Sequence, residues 1–391
     1  MKTDLFLIYF ETSIIRAWPL DQKGLPFLSL LGKPLIVHVL NNYREALNIG
    51  DIYLLHNKRL DSKITEVLSQ HRINTQQISL KELKSERDIL ANLLEVIAPE
   101  STSDTITIAW AHDIVGSWLV KDFAEINKGH SFFLCSNRGN LGPLGGIWVL
   151  DRSTIVNLQK KITTVEKDPW KSIVPSIKVN GYSIPVYPWE FFLIFHKFLE
   201  KTVSNKYIHP AAKVSKWASI EGPVYIDEEA TVLSFASIKG PAYIGKNVVI
   251  GDHTLIRNSI IEENCVIGCH MEVARSIIQP KTETHSGFLG DSILDEKTHL
   301  GAGFISANLR LDRKNVRVKI GNRKIDSGLK KLGVITGFQA NFGVSVSTMP
   351  GILVGKRAII GPGTILFENV PDDTIVYSKC ATIIRKKESK V

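Results

Sequence analysis

Residues 214–256 run VSKWASIEGPVYIDEEATVLSFASIKGPAYIGKNVVIGDHTLI, and eight branched aliphatic residues stand in them at strict intervals of six: Val214, Ile220, Ile226, Val232, Ile238, Ile244, Ile250 and Ile256. A helix places apolar residues every three or four positions and a two-faced strand every second one. An unbroken six, often with Gly or Asp next, as in Ile226-Asp227, Ile244-Gly245 and Ile250-Gly251, is the hexapeptide period of a β-helix. Each aliphatic residue is expected to point inward at the same place on successive coils, with small or polar residues turning the corners. The period slips by one at Ile261, continues through Ile267 and Val273, and is expected to break from Pro280 to Gly287. It resumes near Leu294 and Leu300, yields to a basic excursion, and locks again at Thr336, Phe342, Thr348, Val354, Ile360 and Leu366. Loops that leave a rigid scaffold tend to carry function, which directs attention to residues 280–288 and 309–333.

Upstream, residues 1 to about 198 alternate short apolar runs with helical patterns. Asp4 to Phe10, Asp51 to Leu55 and Thr105 to Trp110 read as strands, and Pro34 to Leu40 as the start of a helix. This alternation predicts an α/β domain with a mainly parallel sheet. Asp113 then falls at the carboxyl end of the sheet, where ligands of open α/β folds bind. Trp189 to Thr202 reads as a helix closing this domain, and His209-Pro210 marks the joint. The expected division is an α/β domain over 1–205, a β-helix over 206–380 and a basic tail over 381–391 that frays.

The chain has 391 residues, 44% of them hydrophobic and 22% charged, a globular composition with room for two cores. No window approaches the twenty apolar residues that span a bilayer, and Met1-Lys2-Thr3-Asp4-Leu5 is unlike a signal peptide. A cytoplasmic, non-membrane protein is expected. The four cysteines, Cys135, Cys265, Cys269 and Cys380, form no CxxC pair and give no metal pattern. Of the net charge of +9, much lies between Leu309 and Leu332, where Arg310, Arg313, Lys314, Arg317, Lys319, Arg323, Lys324, Lys330 and Lys331 face only Asp312 and Asp326. The segment lacks the interleaved aromatics that stack on bases, so nucleic acid is not the expected partner. Small phosphorylated ligands are, with a solvated charged loop as the alternative.

The run Thr284-His285-Ser286-Gly287-Phe288-Leu289-Gly290-Asp291-Ser292, followed by Leu300-Gly301-Ala302-Gly303-Phe304-Ile305-Ser306-Ala307-Asn308, resembles the acetyltransferase half of bifunctional N-acetylglucosamine-1-phosphate uridylyltransferase/glucosamine-1-phosphate acetyltransferases. Ala307 to Asp312, Ser327 to Gly333 and Met349-Pro350-Gly351 are similar to the archaeal-type bifunctional sugar-1-phosphate nucleotidylyltransferase/acetyltransferases. The resemblance covers roughly 208–378. It implies a left-handed parallel β-helix, a homotrimer, and acetyl-CoA or another acyl-CoA bound between neighbouring subunits. The N-terminal part resembles the family's Rossmann-like nucleotidylyltransferase half in degenerate form. Thr12 to Leu20 occupies the place of the glycine-rich phosphate loop G-x-G-T-R-x-x-P-L, and both glycines are gone. A side chain at Ile14 resists positive φ and blocks close approach to phosphate. Gly32-Lys33-Pro34-Leu35-Ile36 keeps the family's G-K-P-L-I. The resemblance leaves Arg16, Lys23 and Lys33 as nucleotide contacts and Asp113 as the single Mg²⁺ ligand, the second family aspartate falling near Ile184.

What the resemblance implies for the β-helix is more complete. His285 lies on the catalytic histidine of H-x-x-[YF]-x-G-D, and a histidine can accept a proton from an amine near neutral pH. Glu272 matches the glutamate that orients it, with an intervening segment one residue shorter. Asn308 matches an asparagine that contacts the amino sugar, and Ala302, between Gly301 and Gly303, a backbone contact to the pantetheine arm. Three departures bear on the acceptor: the family tyrosine is Phe288, a lysine is Ala274 with Arg275 adjacent, and an asparagine before Gly-Ala-Gly is His299. Phosphate recognition would then pass to Arg275 or to Arg310 and Lys314 of the excursion. The expected function is acyl-CoA-dependent N-acetylation of an amino-sugar phosphate in sugar-nucleotide biosynthesis, with an impaired first domain. The alternatives are an active sugar-1-phosphate nucleotidylyltransferase and a non-catalytic trimeric scaffold.

Overall fold

A computed structural model describes residues 2–9, 18–20, 25–56, 61–71, 73, 78–82, 103–111, 113, 120, 131–136, 146–162, 176–179 and 185–379. Arg16, Lys23, Ile184, Cys380 and the basic tail lie outside the described residues. The chain divides into two compact units, Met1–Phe195 and His196–Val391.

The first unit is built on a seven-stranded sheet of β1 (Thr3–Tyr9), β2 (Ile49–His56), β3 (Ile78–Glu82), β4 (Thr105–Trp110), β5 (Phe132–Ser136), β6 (Gly146–Asp151) and β7 (Ser176–Val179), in the order β3-β2-β1-β4-β6-β5-β7. Strands β1 to β4 are parallel, and β6 runs against both β4 and β5. The run TITIAW of β4 is buried throughout, as a central strand covered on both faces requires. Among the described residues are also helices α1 (Leu35–Ala46), α2 (Asp61–Gln70) and α3 (Arg152–Ile162), and α4 (Pro188–Thr202) runs across the division between the units. Helix α1 buries Leu35, Ile36, Val39, Leu40 and Tyr43, the spacing of one helical face. Pro34 stands at its N-cap with φ −60°, where a missing N–H costs nothing. No helix among the described residues is long and apolar enough to cross a membrane.

The second unit is a three-faced parallel β-helix. Face one has eight strands from Tyr207–Ile208 to Leu353–Val354, face two nine from Lys213–Val214 to Ile375–Val376, and face three eight from Ser219–Glu221 to Ile365–Leu366. Every rung read from the period occupies the interior. On face two the column is Val214, Val232, Ile250, Ile267, Thr284, Leu300, Phe342, Ile360 and Val376, each in register with the next. Stacking fills one continuous core from Val224 to Val370. The chain turns its corners through left-handed residues with φ of 48–60°, among them Phe235, Asn247, His253, Asn264, His270, Lys297 and Arg357. Several are large, contrary to the expectation of small corner residues. An L side chain pays about 1–2 kcal/mol for this conformation, and the in-register ladders over-determine it.

The expected break at 280–287 does not occur. Ile278, Thr284, Leu289 and Leu294 all point inward, and the ladders run straight through them. What changes is corner length: the turns from Val273 to Ile278, from Thr284 to Leu289 and from Leu289 to Leu294 each contain one residue fewer than the usual five, and a threonine replaces an aliphatic rung. The basic excursion is a folded element. Arg317–Ile320 and Arg323–Asp326 form an antiparallel hairpin, with Val316 and Val318 buried. Lys319 Nζ is 2.6 Å from Glu368 Oε2, and Asn369 Nδ2 donates to the Lys319 carbonyl at 2.7 Å, so the hairpin is fastened back onto the last coils.

Candidate active site

In the six coils from Ile250 to Leu366, the residue after the inward rung of face two is Gly251, Gly268, His285, Gly301, Gly343 and Gly361. The glycines are demanded by backbone packing. A Cβ at Gly268 would lie 2.7 Å from the Thr284 carbonyl oxygen, and one at Gly301 2.6 Å from the Gly343 carbonyl carbon. His285 alone carries a side chain in this strip, on the one corner between faces two and three that is a residue short. Two positions on, Gly287 absorbs the change with φ 143°; a Cβ there would stand 2.0 Å from the Phe304 carbonyl oxygen. His285 is exposed at its corner. Its amide donates to the Leu300 carbonyl at 3.0 Å, and its ring meets the edge of His299, centroids 5.6 Å apart and planes 79° apart.

The same corner changes character at this coil. Below it, Trp217, Phe235, His253 and His270 form an exposed stack of rings, His253 and His270 parallel at 5.0 Å. Above it the corresponding positions are Gly303, Ser345 and Gly363. The exposed rings thus end, and smaller corner residues begin, at the level of His285. Gly301, Ala302 and Gly303 make the first coil of that strip; Ala302 accepts from the Ser345 amide at 2.7 Å, and Gly303, φ 74°, donates to the Ser286 carbonyl at 2.8 Å.

Glu272, expected to orient His285, faces outward from the third face, in register with Leu255 and Phe288. Its carboxylate receives both Nε, at 3.1 Å, and Nη2 of Arg257. The physical reason is strand alternation: residue 272 projects from the middle of face three, whereas His285 stands at the end of face two. Phe288 is half-buried, its ring beside Gly290, where an added Cβ would lie 2.6 Å from both Phe288 Cζ and Asn308 Nδ2. Arg275 sits in a left-handed corner, φ 48°, and forks onto Asp291 with Nε–Oδ1 2.6 Å and Nη2–Oδ2 2.7 Å. Asn308 Nδ2 donates to Asp291 Oδ2 at 2.5 Å. The hydrogen-bonded fork onto Asp291 raises the Arg275 pKa, and Asp291 is almost fully buried. Arg310 likewise forks onto Asp312, which also accepts from the Lys314 backbone amide, while the Lys314 residue is exposed. Asp291, Arg257 and Glu283 were given no role from sequence; their partners lie one coil away, and only register makes them neighbours.

In the first unit, Gly32 adopts φ 76° after Leu31 at φ 50°, and Lys33 is exposed at the entry to α1. Asp113 is buried, its amide bonded to the Trp110 carbonyl at 3.0 Å. Burial and then the Asp113 charge push the Tyr43 phenol well above its ordinary range. Among the described residues no three His, Cys, Asp or Glu gather to hold a metal ion. Cys265 is buried, with its thiol pushed up by burial, and Cys269 is exposed.

The profile described as GMPPB C-terminal domain matches residues 202–325. The bifunctional protein GlmU of Methanocaldococcus jannaschii is 37% identical over 216 residues, 54% of this chain and 52% of that protein. GlmU of Methanococcus maripaludis strain S2 is 26% identical over 405 residues, 94% of this chain and 96% of its own length. An uncharacterized acetyltransferase of Escherichia coli K12, YaiX, is 32% identical over 187 residues, 48% of this chain and 74% of its length. The chain spans about half the length of the first of these relatives. A Rossmann-like α/β unit followed by a left-handed parallel β-helix defines a two-part hexapeptide-repeat class. Within it, this chain is similar to the bifunctional GlmU-type sugar-1-phosphate nucleotidylyltransferase/acetyltransferases.

Proposed function

We propose that this protein is a transferase whose β-helix carries acyl-CoA-dependent N-acetylation of an amino-sugar phosphate, with His285 as general base. The observation that carries the reading is the placement of one exposed imidazole in a strip of glycines. At about 4.8 Å per coil, the three coils above His285 extend this strip of small residues for roughly 14 Å, suited to an extended thioester arm with its carbonyl at the imidazole. The amine nitrogen attacks the thioester carbonyl carbon, the C–N bond forms and its proton passes to His285. The tetrahedral intermediate then collapses with cleavage of the C–S bond, and coenzyme A leaves with a proton returned by the imidazole. Such a base contributes on the order of 10²–10⁴-fold.

Asn308 and Phe288 are proposed to hold the sugar. Arg275 and Arg310 already have carboxylate partners, which makes Lys314 the proposed anion contact of the excursion. We assign the acyl donor to a cleft between copies in a homotrimer, supported by the exposed apolar side chains Ile305, Val344, Ile365 and Phe367 on and beside face three. The test is thiol release from acetyl-CoA in the presence of glucosamine 1-phosphate and other amino-sugar phosphates. Acceptor-dependent release is expected; none across the panel contradicts the reading.

A second reading, nucleotidylyl transfer by the first unit, is favoured by relatives whose match extends over nearly the whole chain. We propose that this activity is impaired, on the ground that Thr12 and Ile14 stand where the related phosphate loop has glycines. Pyrophosphate release from UTP and a sugar 1-phosphate with magnesium, lost in Asp113→Ala, would overturn that proposal.

A further inference from the structure

The ring that braces His285 is placed by register. Strand Glu283–Thr284 pairs in parallel with His299–Leu300, which makes Glu283 and His299 outward neighbours on face two, one coil apart. His299 Nδ1 lies 3.9 Å from Glu283 Oε2. His285 follows Thr284 directly, and its imidazole is met edge to face by His299. The coil below offers Gly268 at the corresponding position and the coil above offers Gly301, so nothing else in the strip supports the ring. The carboxylate on face three, Glu272, is held by Arg257. The titratable groups around His285 are therefore Glu283 and His299 on face two, with the exposed Cys269 and His270 at the corner of the coil beneath.

We propose that His299, held by Glu283, is the positioning residue for His285, in place of a carboxylate from face three. The proposal rests on the reading of His285 as base. An exposed imidazole free in χ1 and χ2 samples several wells, while a base works only within about 2.6–3.2 Å of the proton it takes. Packing the His299 ring against one side of His285 removes the unproductive wells. Glu283 biases the His299 ring in turn through its 3.9 Å approach, as one cross-strand neighbour biases another. His299 acts through His285 and forms no bond to the reacting atoms.

The test uses the full-length protein with acetyl-CoA and glucosamine 1-phosphate. In His299→Ala, kcat is expected to fall about tenfold, the scale of a misplacement below 1 Å, with KM for both substrates within about twofold. His299→Phe, which keeps a ring at the contact, is expected to recover kcat to within about threefold of the parent. A full kcat in His299→Ala, a change confined to KM, or equal losses in the Ala and Phe variants would each overturn the proposal. His285→Ala separates the two levels: if it retains full activity the base assignment itself fails, whereas an inactive His285→Ala beside an unaffected His299→Ala removes only His299. A readout that needs no acceptor is the rate of diethyl pyrocarbonate modification at His285, followed by peptide mass. It is expected to rise about two- to threefold in His299→Ala as the covered ring face is freed, and an unchanged rate contradicts the contact.

Discussion

Gly287 and His285 divide the consequences of one missing residue between them. The short corner lets a side chain stand where neighbouring coils need glycine, and it forces the next position but one into a conformation closed to other residues. Gly287→Ala is therefore expected to cost about 2–4 kcal/mol, combining a disallowed φ with a backbone clash, measured as a lowered midpoint of denaturant unfolding. Asp291 is the hub at this scale, accepting from Arg275 and Asn308 while almost fully buried. Asp291→Ala leaves a partly buried guanidinium without its carboxylate, and a loss of about 2–3 kcal/mol in the same measurement is expected. The motif around residues 284–291 was legible as a string. The partners of Glu272 and Arg275 were not, because an ion pair between coils depends on which way two side chains lean, and a period of six does not encode that.

At the scale of elements, the rungs were legible wherever each corner keeps five residues, since inward positions then repeat without reference to structure. Ile278, Thr284 and Leu289 escaped because the short corners from Val273 to Ile278 and from Thr284 to Leu289 shift the spacing to five and one rung is polar. Left-handed corners at Phe235, Lys297 and Arg357 escaped because those residue types show no preference for that conformation. Ile250 lies on an unbroken column between Val232 and Ile267, and Ile250→Ala is expected to cost about 2–4 kcal/mol, read from the denaturant midpoint of the β-helix. In α1, His38 is half-buried and its Nε2 lies 2.6 Å from the Leu30 carbonyl. Burial is the main cause lowering its pKa from 6.5 to about 4. The unfolded chain then binds more protons between these values, so the His38 contribution is present above pH 6.5 and is lost as the pH falls toward 4, by about 3 kcal/mol. Unfolding titrations should show a shallower stability decline over that window in His38→Leu than in the parent; equal slopes would contradict the assignment.

Over the whole molecule, both fold classes were legible, the α/β unit from alternation and the β-helix from period, while the excursion was not. Nine basic residues read as a loop, yet buried Val316 and Val318 and the Lys319–Glu368 pair make it a fastened hairpin. Two alternating apolar residues among many charges are too weak a signal to reveal a strand. A homotrimer should appear in light scattering as three times the chain mass; a monomer at micromolar concentration would remove the intersubunit cleft from the account. The central claim is that the imidazole standing in the glycine strip takes the proton of an acceptor amine. Its most direct test is the steady-state rate of acetyl transfer to glucosamine 1-phosphate by the parent and by His285→Ala. A fall in kcat of about 10²–10⁴-fold with KM for acetyl-CoA little changed is predicted, and a variant that turns over at the parent rate would contradict it.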